Sequence, residues 1–183
     1  MLTANTVQQV KSRRVFLALW PDDRVRRQLV DTFAASPQAH FQGCIFKSSN
    51  LHLTLHFLGN LALHQLDCTH GVASKVRLPA FDLRLNCYGY FRQPKVFWIG
   101  PDRVPEGLRK LHTELAKKLA NCDYQAEKRA FTPHVTLMRK LISAEQFIAP
   151  EAINWHVDRF ALVESRPGKE MVEYRPLEFY KLA

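Results

Sequence analysis

Glycine is scarce in this chain, 7 of 183 residues, which excludes collagen-like and glycine-linker architectures. Long hydrophobic runs are missing too: no segment approaches the roughly 18 uninterrupted apolar residues that a membrane-spanning helix needs. The four cysteines, Cys44, Cys68, Cys87 and Cys122, form no C-x-x-C pair. Their spacing suggests neither a zinc site nor a disulfide framework, and four reduced thiols are expected. The opening residues Thr3, Asn5, Gln8, Gln9 and Lys11 are polar where a secretory signal requires an apolar stretch, so a cytoplasmic location is expected. Acidic residues are the minority charge, 17 against 26 basic ones, for a net charge of +9.

What the chain does have is an ordinary globular composition, 46% hydrophobic and 23% charged. At this length one core is the expectation. Residues 1–12 show little apolar periodicity and are expected to form a flexible leader, with residues 13–183 as a single domain. The excess of positive charge points to a polyanionic partner, nucleic acid ahead of an acidic membrane surface.

Residues 15–20 are a short buried-strand candidate stopped by Pro21. Asp22 then starts a helix in which Val25, Leu29 and Phe33 recur every four positions. Leu51, Leu53, Leu55 and Phe57 alternate with His52, Thr54 and His56, the period of a half-buried strand. A helix interrupted by Gly71 is expected over 62–77 and a strand over 81–87. Another strand is expected over 95–99, before a helix opened by Pro105 and Glu106 with the stripe Leu108, Leu111, Leu115 and Leu119. The alternation returns after Pro133, in His134 to Met138. Two further strands are expected near 157–164 and 172–180, and Pro176 places the last at a sheet edge. Alternating strands mixed with helices favour an α+β fold with antiparallel sheets over a doubly wound parallel one.

The pattern H-x-T-L occurs twice, at His52–Leu55 and His134–Leu137. Chance would supply only about 0.04 of a match in a chain of this composition, which makes the recurrence a motif to be tested. On a strand, residues i and i+2 share a face, so each copy offers an imidazole beside a hydroxyl, away from the leucines. An imidazole serves near neutrality as base or, when charged, as acid, and a threonine hydroxyl donates to an anionic oxygen. Displacement at phosphorus runs in line and asks for one group to take a proton and another, on the far side, to deliver one. Two histidines meet that demand, with Thr54 and Thr136 holding the equatorial oxygens. His56 shares the expected face of His52. Arg139 is one residue out of phase with His134 and would point away unless the strand bulges first. Phe57 and Phe131 are candidates to stack on a base.

On these residues the chain resembles the two-histidine (2H) phosphoesterases, and within them the LigT-like RNA 2′,3′-cyclic phosphodiesterases, also called 2′-5′ RNA ligases. The resemblance rests on RVFLALWP at 14–21, NLHLTLHFLG at 50–59, VFWIG at 96–100, FTPHVTLMR at 131–139 and the closing 168–177. It implies a two-lobed α+β fold with antiparallel sheets around a central cleft and helices outside. It also implies metal- and cofactor-independent hydrolysis of an RNA 2′,3′-cyclic phosphate to a 2′-phosphomonoester, with His52 as proton donor and His134 as acceptor. By the resemblance Arg139 would contact phosphate and Arg129 would sit on the substrate side; the strand reading adds Phe57, Phe131 and His56 as candidate substrate-binding residues. The expected partners are RNA ends carrying a cyclic phosphate, tRNA fragments or small cyclic nucleotides among them, bound by a monomer with no membrane role. Three rivals stay open. Two are other activities of the same superfamily: 2′-5′ RNA joining, and hydrolysis of small cyclic nucleotides or ADP-ribose cyclic phosphate. The third is a non-catalytic RNA-binding module, which predicts salt-sensitive RNA affinity indifferent to the loss of His52.

Overall fold

The computed structural model describes residues 12–127, 129–142, 147–168 and 171–183. The expected leader thus lies outside the described residues except for Ser12. In chain order the regular elements are β1 (Arg13–Leu19), α1 (Asp23–Ala34), β2 (Cys44–Ile45), β3 (Leu53–Leu61), α2 (Leu63–Ala73), β4 (Phe81–Leu85), β5 (Cys87–Phe91), β6 (Val96–Gly100), α3 (Glu106–Leu119), β7 (Val135–Arg139), β8 (Ile153–Val157), β9 (Arg159–Arg166) and β10 (Glu173–Lys181). Eight strands form one sheet in the order β10-β9-β1-β3-β7-β6-β5, with β2 paired to β7, while β4 and β8 make a separate two-stranded sheet. All the pairings are antiparallel, as the alternation of the strands foretold. Pro176 does lie on the edge strand β10, beside an irregularity in its pairing with β9.

Alternation decides what each sheet face carries. Val15, Leu17 and Leu19 of β1 point to the same side as Leu53, Phe97, Ile99 and Val135, where they meet Val25, Leu29 and Phe33 of α1 and the four stripe leucines of α3. Those four leucines are fully buried, each contributing about 1.5–3 kcal/mol by leaving water. Asp22 starts α1 by accepting the Val25 amide at 2.8 Å. Among the described residues, no helix of this core covers the opposite face. Phe16 and Ala18 of β1 form there a small cluster with Ala161 and Val163, flanked by Trp20 and Tyr174.

Several sequence expectations need correction. The helix expected over 62–77 ends at Ala73. The strand expected over 81–87 is two strands, because the chain turns at Asn86: β4 pairs with β8, whereas β5 pairs with β6. The Asn86 amide donates to the Gly100 carbonyl, and its side chain accepts the Asp102 amide. The expectation of four reduced thiols fails for one pair: Cys68 of α2 and Cys122, just past α3, are disulfide-bonded with 5.8 Å between their Cα atoms. Packing of α2 on α3 brings them together across 54 residues, a separation that carries no spacing signature. Cys44 and Cys87 are free.

Candidate active site

The two motif strands meet at a single rung, Leu53 opposite Val135. Both residues are fully buried, so the sheet face away from the helices holds the residues on either side of them. An antiparallel register through that rung runs His52 against Thr136 and Thr54 against His134. All four side chains line one cavity of about 500 Å³, and the charge of His134 is felt at His52.

Each motif then breaks its own alternation at the same place. Ala18 pairs with Thr54 but Leu17 with His56, so Leu55 is an extra residue in β3. Trp98 pairs with Thr136 but Phe97 with Met138, so Leu137 is the corresponding extra residue in β7. Each bulge flips the residues beyond it. In β7 the flip brings Arg139 onto the cavity side, where it lines the cavity and lies over the Phe46 ring, 4.7 Å from its centroid. In β3 the same flip turns His56 inward, opposite Leu17, to 3% exposure, against the expectation that it shares the face of His52, although it still contributes to the wall of the cavity. Among the described residues no group of three or more metal-ligating side chains comes together. Phe57 occupies the position of Arg139 in the first copy: it is exposed, opposite Phe16, and lines the cavity.

The two imidazoles are anchored alike. His52 Nδ1 donates to the Asn50 carbonyl at 2.6 Å, and His134 Nδ1 donates to the Thr132 carbonyl at 2.8 Å. Each bond reaches the carbonyl two residues back, fixes the proton on Nδ1 and leaves Nε2 to face the cavity. His52 Nε2 accepts from the Thr54 hydroxyl at 3.1 Å. Aromatic rings hold both. His52 sits among Phe16, Trp20 and Tyr174, with ring centroids 4.8, 6.0 and 5.0 Å away. His134 sits between Phe91 and Trp98, at 4.9 and 5.9 Å. Gly89 makes room for this second cage, since a Cβ there would lie 2.1 Å from the Trp98 ring.

Burial among these rings is the main reason that His52 is pushed down to about 4, with Arg139, His134 and Arg26 adding to the fall and the Asn50 bond opposing it. His134 is lowered as well, again mainly by burial, with Arg139 and Arg129 contributing and the Thr132 bond opposing. The protein's own groups therefore keep both rings neutral near pH 7, while the surrounding cations favour an anionic guest that would reverse the trend.

Phe131 and Arg129, the remaining candidates, also line the cavity. Arg129 donates to Glu127 at 2.9 Å. Phe131 stacks on His112 at 3.9 Å, and His112 stacks on His56 at 4.2 Å. His56 Nε2 donates to the His112 carbonyl at 2.8 Å, and its Nδ1 accepts from Tyr124. His56 thus buttresses the column of rings that ends in Phe131.

Sequence reasoning missed Asn50. Buried to 2% exposure, it presents its carbonyl to His52 while its side chain donates to the Val172 carbonyl at 2.7 Å and accepts the Tyr174 amide at 3.1 Å. That bridge ties the start of β10 to the motif and places Tyr174 against His52. Its partners lie more than a hundred residues away, so nothing local announces it. Phe16 and Trp20 were legible in principle, as the off-core phase of β1. The Arg26 guanidinium reaches the carbonyls of Pro21, Ser48 and Leu51 and lies over Trp20.

An antiparallel α+β fold that sets two anchored imidazoles and their threonines around one cavity is the arrangement of a two-histidine phosphoesterase. The chain belongs to the 2′-5′ RNA ligase superfamily, whose model matches residues 20–169. The RNA 2′,3′-cyclic phosphodiesterase of Escherichia coli (strain K12) is 31% identical over 174 residues, covering 93% of this chain and 97% of its own. A Thermotoga maritima protein of the same name is 29% identical over 166 residues, covering 83% and 86%. Among solved structures, E. coli LigT in apo form superposes with a TM-score of 0.85 at 29% identity, over 94% of this chain and 98% of that one. LigT complexed with 3′-AMP gives 0.84 at 28% identity, over 94% and 99%.

Proposed function

We propose that this protein hydrolyses the 2′,3′-cyclic phosphate at RNA ends to a 2′-phosphomonoester, without a metal, by proton exchange between His52 and His134. The observation that carries the reading is the matched pair of Nε2 atoms on one cavity, each fixed by an Nδ1 bond to the carbonyl two residues back. The names of the relatives, RNA 2′,3′-cyclic phosphodiesterases, support the choice of substrate.

With the cyclic phosphate seated between the two strands, His134 Nε2 takes a proton from water as its oxygen attacks phosphorus. The bond from phosphorus to the 3′ oxygen breaks in line with the attack, and His52 Nε2–H delivers a proton to that oxygen. One proton enters the protein at His134 and one leaves from His52, so the pair must exchange protonation through solvent before the next turnover. The Thr54 hydroxyl turns from Nε2 to a phosphate oxygen, Thr136 holds another, and Arg139 balances the charge. Phe57 and Phe131 offer ring faces to the nucleobase.

The test is an oligoribonucleotide ending in a 2′,3′-cyclic phosphate, incubated with the full chain in EDTA. A 2′-phosphate product is expected, and His52→Ala and His134→Ala should each slow its formation by about 10²- to 10⁴-fold. Unchanged substrate, or turnover that survives either replacement, overturns the reading.

A further inference from the structure

Arg14 is a charged side chain of the cavity wall that the chemistry above leaves unused. Alternation along β1 puts it on the same face as Phe16 and Ala18. The register that pairs Val15 with Glu164 brings Arg14, one step on, opposite Ser165, and Ser165 pairs with Tyr174. All three line the cavity that holds the histidines and threonines. The Arg14 guanidinium lies over the Phe57 ring, 5.0 Å from its centroid. Among the described residues it has no carboxylate partner, whereas Arg13 and Arg166 both engage Glu164 and Arg129 engages Glu127.

Of the three arginines that line the cavity, Arg129 is paired with Glu127, and the other two divide the space between them. Arg139 is close enough to both imidazoles to depress them, whereas Arg14 is placed over Phe57. Arg14 stands four residues along β1 from Ala18, the neighbour of Thr54, at most about 13 Å of strand, and its side chain leans back over Phe57. A terminal nucleotide carries its cyclic phosphate at one end of the ribose and its 5′ phosphodiester at the other, with the base beside both. A ring platform between two separated cationic points is the pattern that tracks a single strand.

We propose that Arg14, with the hydroxyl of Ser165, forms a second phosphate subsite that takes the phosphodiester on the 5′ side of the terminal nucleotide. It rests on the reaction proposed above and deepens it: the site distinguishes the end of an RNA strand from a free nucleoside cyclic phosphate. Arginine suits the task because its planar fork grips two oxygens of one phosphate.

The test compares kcat/KM for adenosine 2′,3′-cyclic phosphate with and without a 5′-phosphate, which isolates the phosphate from any second base. Wild type should favour the 5′-phosphorylated probe by about tenfold or more, the range of a charge-assisted contact. In Arg14→Gln the ratio should fall to about one, Arg14→Lys should restore part of it, and Ser165→Ala should lower it a few-fold. Any disturbance of Phe57 on losing its guanidinium cover acts on both probes and cancels in the ratio. A wild-type ratio near one, or an Arg14→Gln ratio equal to that of wild type, overturns the subsite. A wild type that turns over neither probe nor the cyclic-ended oligomer overturns the reaction itself, and the subsite with it.

Discussion

Anion binding at this site should draw a proton onto His52. Its imidazole stands at about 4, held there mainly by burial and then by the charges of Arg139, His134 and Arg26. Sulfate is a suitable probe because it remains a dianion across the relevant range, so any pH dependence belongs to the protein. An opposite charge within hydrogen-bonding range typically moves a group by about one to three units, which would lift His52 from about 4 into the range of about 5 to 7. Each unit corresponds to about 1.4 kcal/mol of binding, or tenfold in affinity. Sulfate affinity should therefore rise about tenfold for each unit of pH lowered between the lifted value and about 4, and flatten below it. Calorimetry at pH 6 in two buffers of different ionisation enthalpy should show net proton uptake, and His52→Ala should reduce it. Full uptake retained in that variant, or none in wild type, would refute the electrostatic account of the site. The same shift separates the two kinetic profiles: kcat/KM, which reports the free protein, should reach its optimum at a lower pH than kcat, which reports the complex.

Two further outcomes concern stability. Asn50→Ala removes both side-chain partners of the β10 backbone, leaving the Val172 carbonyl and the Tyr174 amide unsatisfied. At about 1–3 kcal/mol for each, and about 2–4 °C per kcal/mol at this chain length, thermal unfolding should show Tm lower by about 4–24 °C, with turnover reduced as Tyr174 loses its hold on His52. The histidines also set a pH dependence: His52 and His112 both stand at about 4, burial being the first cause in each. The unfolded chain then binds more protons than the native one between about pH 6.5 and 4, so stability should fall as pH is lowered through that window and level off below it. Denaturant midpoints measured from pH 8 to 4 check the sign, and added sulfate should recover part of the loss by raising His52.

Strand period and motif recurrence make the four central side chains legible in the sequence, because His52, Thr54, His134 and Thr136 lie upstream of the irregularities. Beyond Thr54 and Thr136 the period of two misleads. Simple alternation puts His56 on the open face with His52, whereas it is buried opposite Leu17 at the cavity wall; alternation turns Arg139 away, and the bulge that the reading allowed for brings it to the cavity. Both outcomes follow from an extra leucine, Leu55 or Leu137, whose bulge no alternation count reveals. The α1 and α3 stripes fell where a 3.6-residue period puts them, while β8 was passed over although Ile153, Trp155 and Val157 alternate with polar residues. Contacts that depend on distant chain could not be read at all. Asn50 with Val172 and Tyr174, and Cys68 with Cys122, are products of tertiary packing.

The rung between Leu53 and Val135 carries a mechanical corollary. Flanking ladders brace β1 against β3 and β6 against β7, but between the two motif strands there is one pair of residues and then divergence. Such a joint behaves like the pivot of a pair of tongs: the gap between the jaws is governed by what is wedged behind the pin. Trimming Leu53 or Val135, whose side chains are buried on the opposite face of the sheet from the reacting atoms, should alter the bite of the histidines as surely as changing the jaws themselves.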